Sequence, residues 1–132
     1  MTVRLIRSDR LYTGVPYAYA STAPPGSLIF TAGACPLDEA GRVVGADDIR
    51  AQASVAMANL GTALAACGAT LAHVLKTTVF VASDRRADLV AAWEVVEAAF
   101  GSHDAPSTLL GVTVLGYPGQ LVEIEAVAVA AG

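Results

Sequence analysis

APSTLLGVTVLGYPGQLVEIEAVAVAA, residues 105–131, is the stretch that decides the fold. Its β-branched runs predict two strands, at residues 108–115 and 121–129. The Gly-Tyr-Pro-Gly segment at 116–119 predicts a turn between them, because Gly and Pro punctuate strands. The chain is therefore expected to end in two consecutive strands.

The second of these strands contains two carboxylates, Glu123 and Glu125, in an otherwise apolar run. Successive side chains of a strand point to opposite faces, so both carboxylates share one face. Two like charges there must each be solvated, paired or functional. One interpretation is a pair of solvent-facing edge residues. The other is a carboxylate in a cleft between subunits that acts as a general base on water.

The bulk composition predicts a single domain, 1–132, that associates with copies of itself. The chain has 132 residues, of which 55% are hydrophobic and only 15% are charged. Soluble domains usually carry about 25% charged residues. A small domain of this composition would expose sizeable apolar patches, so a homo-oligomer is expected.

Charge and cysteine usage exclude several classes of protein. The net charge of −4 and the eight scattered basic residues argue against a nucleic-acid binder. Cys35 and Cys67 form no CxxC pair and no metal-ligand pattern, so neither a metal nor another cofactor is expected. Two unpaired thiols without a secretory leader predict a cytoplasmic protein. Pro, Gly and polar residues interrupt the uncharged runs, so no membrane span is expected.

The first third of the chain has the pattern of short strands. Alternating residues at 3–7, a Tyr/Ala segment ending at residue 21, and the apolar segment 27–32 predict three strands. Turn residues at 22–26 separate the last two, which favours an antiparallel meander. The apolar content of 27–32 favours a central position for that strand.

Two helices are expected in the middle of the chain, separated by a β-branched strand at 75–82. Asp47 and Asp48 favour a helix start before residues 49–67, and Gly68 favours its end. Ser83 or Asp84 is expected to cap the second helix, which Gly101 ends. The apolar face of that helix consists of Leu89, Trp93, Val96 and Phe100.

The resulting order is β-β-β-α-β-α-β-β. Helices that alternate with strands only in the middle of the chain indicate an α+β fold with helices on one sheet face.

Residue types alone single out few other candidates for chemistry. Tyr17 and Tyr19 share a strand face, and structural packing is favoured over a chemical role. His73 and His103 are expected to be solvated surface residues. Cys35 has no neighbouring base that would activate it, so an inert thiol is expected. Ser107-Thr108 lacks the context of a catalytic nucleophile.

Five stretches together resemble the Rid family of reactive-intermediate (enamine/imine) deaminases, also called the YjgF or L-PSP family. The resemblance covers nearly the whole chain. Its stretches are VPYAYAS at 15–21, LIFTAGACPLDEAGRVVG at 28–45, DDIRAQASVAMANLGTAL at 47–64, HVLKTTVFVAS at 73–83 and LVEIEAVAV at 121–129.

The resemblance implies a chorismate-mutase-like (YjgF-like) α+β fold and a homotrimer. The sheets would form an inner barrel with the helices outside, and small-molecule ligands would bind in the clefts between subunits. Deaminases of the family hydrolyse 2-imino acids, such as 2-iminobutanoate, to 2-keto acids and ammonia.

Three family site residues have counterparts in this sequence. The glutamate that holds the attacking water falls on Glu123, a pocket tyrosine on Tyr17 and a pocket glycine on Gly33. The resemblance thus implies Glu123 as the base and Tyr17 as the residue that orients the substrate.

Other family site residues are replaced here. The arginine that grips the substrate carboxylate falls on Ser107 or Thr108, and no Arg or Lys follows Arg86. The pocket serine falls on Ala32, an asparagine of the second helix on Ala91, and the cysteine that often follows the arginine on Leu109 or Leu110.

These departures predict a more apolar, neutral pocket for a larger or uncharged ligand. A hydrolase acting on an imine or enamine is the first hypothesis, with weak or no activity on free 2-imino acids. A non-catalytic metabolite-binding or protective trimer is the second. An endoribonuclease, an activity ascribed to some family members, is disfavoured by the acidic charge.

Overall fold

The structure is a computed structural model that describes residues 3–10, 13–14, 16 and 18–130. Its elements follow the predicted order, with one short 3-10 turn, Leu71–His73, added before the fourth strand. They are β1 (Arg4–Ile6), β2 (Ala20–Thr22), β3 (Leu28–Phe30), α1 (Ile49–Ala66), β4 (Val74–Ala82), α2 (Arg86–Phe100), β5 (Ser107–Val112) and β6 (Val122–Val129).

The main sheet has four strands in the order β3-β6-β4-β5. β4 and β5 are parallel and are connected through α2, whereas β6 is antiparallel to both β3 and β4. The final strand therefore lies in the interior of the sheet, and its carboxylates are not on an edge strand. β1 and β2 pair with each other in a separate antiparallel ribbon.

Two predictions about the first strands were wrong. The three strands do not form a meander, because β3 pairs with β6 and not with β2. β3 is also an edge strand of this sheet, not a central one. Pro24 and Pro25, between β2 and β3, lack the N–H groups needed to extend a ladder around the turn. The apolar content of β3 instead reflects the exposed side chains of Leu28 and Phe30.

Both helices cover one face of the sheet. The even-numbered side chains of β6 are buried on this face, as the two-residue period of a strand requires. Small residues of α1 allow the helix to lie close to the sheet and to α2. The core comprises Ala53, Ala56, Met57, Leu60 and Leu64 of α1, Ala92 and Val96 of α2, Val74, Val79 and Val81 of β4, and Val122, Ile124, Ala126 and Ala128 of β6.

The helix ends match the sequence pattern at α1 and depart from it at α2. Asp48 caps α1, since its Oδ1 accepts a hydrogen bond from the Ala51 amide at 3.0 Å, and Gly68 follows with a φ of +74°. Arg85 occupies the cap position of α2, where Ser83 or Asp84 was expected. Ser83 still contributes, because its Oγ accepts from the Arg85 amide and donates to Asp88 Oδ2.

The opposite face of the sheet, the open face, is only partly covered by the described residues of the single chain. Glu123, Glu125 and Val127 of β6 lie on it, together with exposed Phe30 of β3 and Leu110 of β5. Within the described residues, neither helix combines the length and the hydropathy needed to cross a bilayer.

Candidate active site

The two carboxylates of β6 share the open face but differ in their surroundings. Glu125 is exposed and lies opposite Thr78 of β4, whereas Glu123 is half-buried opposite Phe80. The shared face was predicted from the alternation of the strand. The difference arises from the chain segment that follows β3, which covers Glu123.

The segment after β3 is attached to β6 by backbone hydrogen bonds. The Ala34 amide donates to the Ile124 carbonyl at 2.7 Å, and the Ile124 amide donates back at 3.1 Å. The pairs Phe30↔Val127 and Ala34↔Ile124 differ in register by one residue, which indicates a bulge between them. The bulge places Gly33 and Cys35 on the same face as Glu123.

Among the described residues, Gln120, Cys35 and Gly33 contact the Glu123 carboxylate. Its Oε1 accepts from Gln120 Nε2 at 3.2 Å and from Cys35 Sγ at 3.3 Å. Its Oε2 lies against Gly33, where an added Cβ would be 2.2 Å away. Glycine at position 33 therefore makes room for this position of the carboxylate and is not needed for an unusual backbone angle.

Cys35 is held as a protonated thiol. Burial raises its pKa, and the hydrogen bond to Glu123 and the charge of Glu123 raise it further, to about 11. The expectation of an inert thiol is therefore consistent with the structure, since little thiolate exists near neutral pH. Asn59 of α1 fixes the surrounding loop by donating to the carbonyls of Cys35 at 2.8 Å and Leu37 at 3.0 Å.

A hollow of about 410 Å³ opens beside Gly33 and Cys35, two residues that contact this carboxylate. Its volume is in the range of small-molecule sites. It is lined by Gly33, Cys35, Leu37, Asp38, Glu39, Asn59 and Tyr117.

A second hollow, of about 430 Å³, lies at the β5 edge of the sheet. Trp93, Ser107, Thr108 and Leu109 line it. Three of the predicted site residues, Ser107, Thr108 and Leu109, are thus together, but they lie across the sheet from Glu123 and Gly33.

The register separates the two candidates for the arginine position. Ser107 Oγ accepts a hydrogen bond from the buried Thr77 hydroxyl at 2.8 Å, on the helix-facing side of the sheet. Thr108 lies opposite Thr78 on the open face and is exposed. Only Thr108 therefore shares a sheet face with Glu123.

Lys76 of β4 contacts Thr108, a relationship that sequence reasoning missed. Its Nζ donates to Thr108 Oγ1, and burial lowers its pKa. The pocket is therefore less neutral than expected, because the Lys76 ammonium lies beside Thr108, one of the two positions where the resemblance places an arginine. The two-residue period of β4 was the available signal, since it puts Lys76, Thr78 and Phe80 on one face.

The remaining predicted positions contribute less to either hollow. Ala32 is exposed next to Gly33, and Ala91 is half-buried on α2 outside the residues that line the second hollow. Tyr17 lies outside the described residues. Gln120, whose side chain contacts Glu123, was not predicted, because nothing in the sequence pattern marks a turn glutamine as functional.

Both histidines are half-buried and have local structural partners. The His73 Nδ1 accepts from the Thr70 amide at 2.9 Å, and the His103 Nε2 bonds the Val74 carbonyl at 2.8 Å. Within the described residues, no cluster of three or more His, Cys, Asp or Glu side chains could hold a metal ion.

A larger hollow, of about 670 Å³, lies where β5 passes the start of α2. It is lined largely by Ser83, Asp84, Arg86 and the end of β5, away from the Glu123 carboxylate. The smaller hollow is the better candidate, because Gly33 and Cys35 in its lining contact the Glu123 carboxylate.

Comparison with known proteins gives a consistent result. The family model described as Endoribonuclease L-PSP matches residues 8–130. Protein DfrA from Myxococcus xanthus is 34% identical over 131 residues, which cover 98% of this chain and 97% of that protein. YyfB from Yersinia pestis, a structure from the Rid family, is 32% identical with a TM-score of 0.91, covering 98% of this chain and 99% of that one.

TdcF from E. coli, whose structure contains bound serine, is 26% identical with a TM-score of 0.69, covering 97% of this chain and 99% of that one. The four-stranded sheet with two helices on one face, shared with these structures, defines an α+β protein of the chorismate-mutase-like class. The chain belongs to the Rid/YjgF/L-PSP family.

Proposed function

We propose that this protein hydrolyses an imine or enamine metabolite in clefts between the subunits of a homotrimer. The observation that carries the proposal is the half-buried Glu123 carboxylate, which contacts Gly33 and Cys35 in the lining of a hollow. One of its oxygens is hydrogen-bonded, and the other has no donor among the described residues. Membership of the Rid family supports the same reaction class.

The proposed reaction needs a base that returns the proton it takes. Water adds to the carbon of the C=N bond while its O–H proton passes to Glu123. The protonated carboxyl gives this proton to the nitrogen, which yields a carbinolamine. Glu123 then takes the hydroxyl proton and passes it to the nitrogen, so that the C–N bond breaks and a carbonyl compound and ammonia are released. Tyr17 is proposed to orient the substrate.

The separation of the two hollows supports a site made from two subunits. Glu123 and Gly33 lie towards the β3 edge of the sheet, whereas Thr108 and Leu109 lie at the β5 edge. A neighbouring copy that brings its β5 edge to the β3 edge of the first would complete one cleft. Closure of three such contacts gives the proposed trimer.

Thr108 determines the proposed substrate preference. Loss of one partner of a desolvated Arg–carboxylate pair costs about 2–5 kcal/mol, or roughly 30- to several-thousand-fold in rate. Lys76 is only a partial substitute, because an ammonium is a point charge without the bidentate fork of a guanidinium. We therefore propose that free 2-imino acids are poor substrates and that uncharged imines are preferred.

A non-catalytic, metabolite-binding trimer is the second candidate, and the same replacement favours it. A chain that keeps the hollows but lacks the arginine would bind ligands without turnover. An endoribonuclease is disfavoured, despite the name of the family model, by the net charge of −4.

The test compares two imines with and without a carboxylate. 2-Iminobutanoate and the imine released by oxidation of benzylamine are generated enzymatically, and hydrolysis is followed in competition with semicarbazide trapping. We expect acceleration of the neutral imine and little acceleration of 2-iminobutanoate. Thr108→Arg should raise the rate with 2-iminobutanoate by about 30-fold or more.

Ser107→Arg is the matched control, since that side chain faces the helices and should give no gain. Efficient hydrolysis of 2-iminobutanoate by the unmodified protein would refute the proposed preference. Binding of either compound without hydrolysis would favour the non-catalytic trimer.

A further inference from the structure

The two oxygens of the Glu123 carboxylate are not equivalent. Oε1 accepts two hydrogen bonds, from Gln120 and Cys35. Oε2 has no donor among the described residues. Every buried side-chain oxygen or nitrogen among these residues has a hydrogen-bond partner, so the unpaired Oε2 is not buried and is open to solvent. One oxygen is therefore held while the other is available.

Gln120 is fixed in a single orientation. Its side chain is buried, with an exposed fraction of 3%. Its Oε1 accepts from the Tyr117 amide at 3.2 Å, and its Nε2 donates to the Val122 carbonyl at 3.1 Å as well as to Glu123. A flipped amide would oppose oxygen to oxygen at both Val122 and Glu123, so the donor must face the carboxylate.

Cys35 supplies the second donor. Its raised pKa keeps the proton on sulfur, and Asn59 holds its backbone carbonyl. The other titratable groups that line the hollow are Asp38, Glu39 and Tyr117. Asp38 is occupied by the amides of Ala40 and Arg42, each at 2.9 Å.

We propose that Gln120 and Cys35 are positioning residues that hold Oε1 of Glu123, so that Oε2 is the oxygen that takes the proton from water. The space for Oε2 and that water exists because Gly33 has no Cβ. This inference rests on the proposed hydrolysis. Gln120 is the stronger holder, since an S–H group is a weak donor.

The contact itself can be tested without any substrate. In a Cys67→Ser background, which leaves Cys35 as the only thiol, the alkaline titration of Cys35 is followed by its thiolate absorbance. We expect a midpoint near pH 11, and a lower midpoint when Glu123→Gln removes the charge that raises the pKa. An unchanged midpoint would overturn the Cys35–Glu123 contact.

Kinetics test the positioning role. We expect Gln120→Leu and Cys35→Ala to lower kcat by about 3- to 10-fold each, the loss of one modest hydrogen bond, with little change in KM. Cys35→Ser, which retains a donor, should restore most of the rate.

The possible outcomes are distinguishable. Variants that lose stability but keep kcat would overturn the positioning role while leaving Glu123 as the base. Absence of imine hydrolysis by the unmodified protein would overturn the proposed function, and the catalytic role of Oε2 with it. The thiol titration would still decide whether Cys35 contacts the carboxylate.

Discussion

At the scale of single residues, the missing side chain of Gly33 decides where the Glu123 carboxylate lies. A Cβ at position 33 would approach Oε2 to 2.2 Å and Cδ to 2.5 Å. The displaced group is the end of a flexible side chain, so the chain can still fold.

We predict that Gly33→Ala moves the carboxylate and lowers imine hydrolysis by at least about 10-fold, since small misplacements of a catalytic group have large effects. Rate measurements and urea unfolding check this. Gly61→Ala in α1 is the control, because a Cβ added at position 61 has no atom within 4 Å. This variant should stabilise the helix by about 0.5–1 kcal/mol and leave the rate unchanged. Unaltered hydrolysis in Gly33→Ala would contradict the assigned geometry.

The raised pKa of Cys35 leads us to predict that the protein loses stability at alkaline pH. Its folded pKa of about 11 exceeds its ordinary value of 9.0, so between these values the folded chain keeps a proton that the unfolded chain releases. The stability from this thiol is complete below pH 9 and is lost as the pH rises towards 11. Lys76 acts in the opposite direction, because raising the pH relieves the cost of burying its charge.

Comparison of the unmodified protein with Cys35→Ala cancels the contribution of Lys76. We expect the free energy of unfolding in urea, at one protein concentration, to fall more steeply between pH 9 and 11 in the unmodified protein. Parallel pH dependences would contradict a thiol whose pKa is raised by burial and by Glu123.

At the scale of elements, Gln52 connects α1 to the turn before β6. Its side chain is fully buried, donates to the carbonyls of Gly45 at 3.1 Å and Gly119 at 3.0 Å, and accepts from the Leu121 amide at 2.7 Å. Replacement leaves these backbone groups unpaired away from water. This connection fixes the start of the strand that carries Glu123.

We predict that Gln52→Leu lowers the free energy of unfolding by about 1–3 kcal/mol or more. Thr62→Ala, on the exposed side of the same helix, should change it by less than about 0.5 kcal/mol. Denaturant unfolding measures both. Equal stabilities of the two variants would contradict a structural role for Gln52.

The order and type of the elements could be predicted from sequence, but several of their contacts could not. The two-residue period of 121–129 correctly put both carboxylates on one face, and Gly68 and Gly101 correctly marked the helix ends. The pairing of β3 with β6 joins segments about a hundred residues apart, which no local pattern encodes. The strand expected at 108–115 ends at Val112, where its partner β4 ends at Ala82.

Some residues of the candidate site could be predicted from the sequence, and others could not. Glu123 and Gly33 were predicted from resemblance, and the structure places them in contact. The period of β4 gives the sheet face of Lys76, but its contact with Thr108 depends on the pairing of two strands. The contact of Gln120 with Glu123 depends on the conformation of the turn before β6, which sequence spacing does not reveal. The placement of Tyr17 lies outside the described residues, and its role stays a prediction.

At the scale of the whole molecule, the open sheet face supports association between copies. The exposed fractions of Phe30 and Leu28 are 73% and 54%, and Leu110 is also exposed on this face. Apolar side chains gathered on one face are typical of an interface. The helices cover the other face, which agrees with a proposed barrel of sheets inside and helices outside.

We predict that light scattering gives the mass of three 13.4 kDa chains and that Phe30→Glu shifts the protein towards monomers. Val90→Glu is the matched control, because Val90 is a comparably exposed apolar residue, at 52%, on α2. It should leave the trimer intact. A monomeric unmodified protein, or dissociation by Val90→Glu alone, would contradict the proposed arrangement.

The central claim, that Glu123 is the base of an imine hydrolase, is tested most directly by one comparison. The hydrolysis rate of the uncharged imine from benzylamine is measured with the unmodified protein and with Glu123→Gln, which keeps the size of the side chain. We predict that the unmodified protein accelerates hydrolysis over the spontaneous reaction. In Glu123→Gln, this acceleration should be smaller by about 10²- to 10⁴-fold. Equal acceleration by both proteins, or none by either, would contradict it.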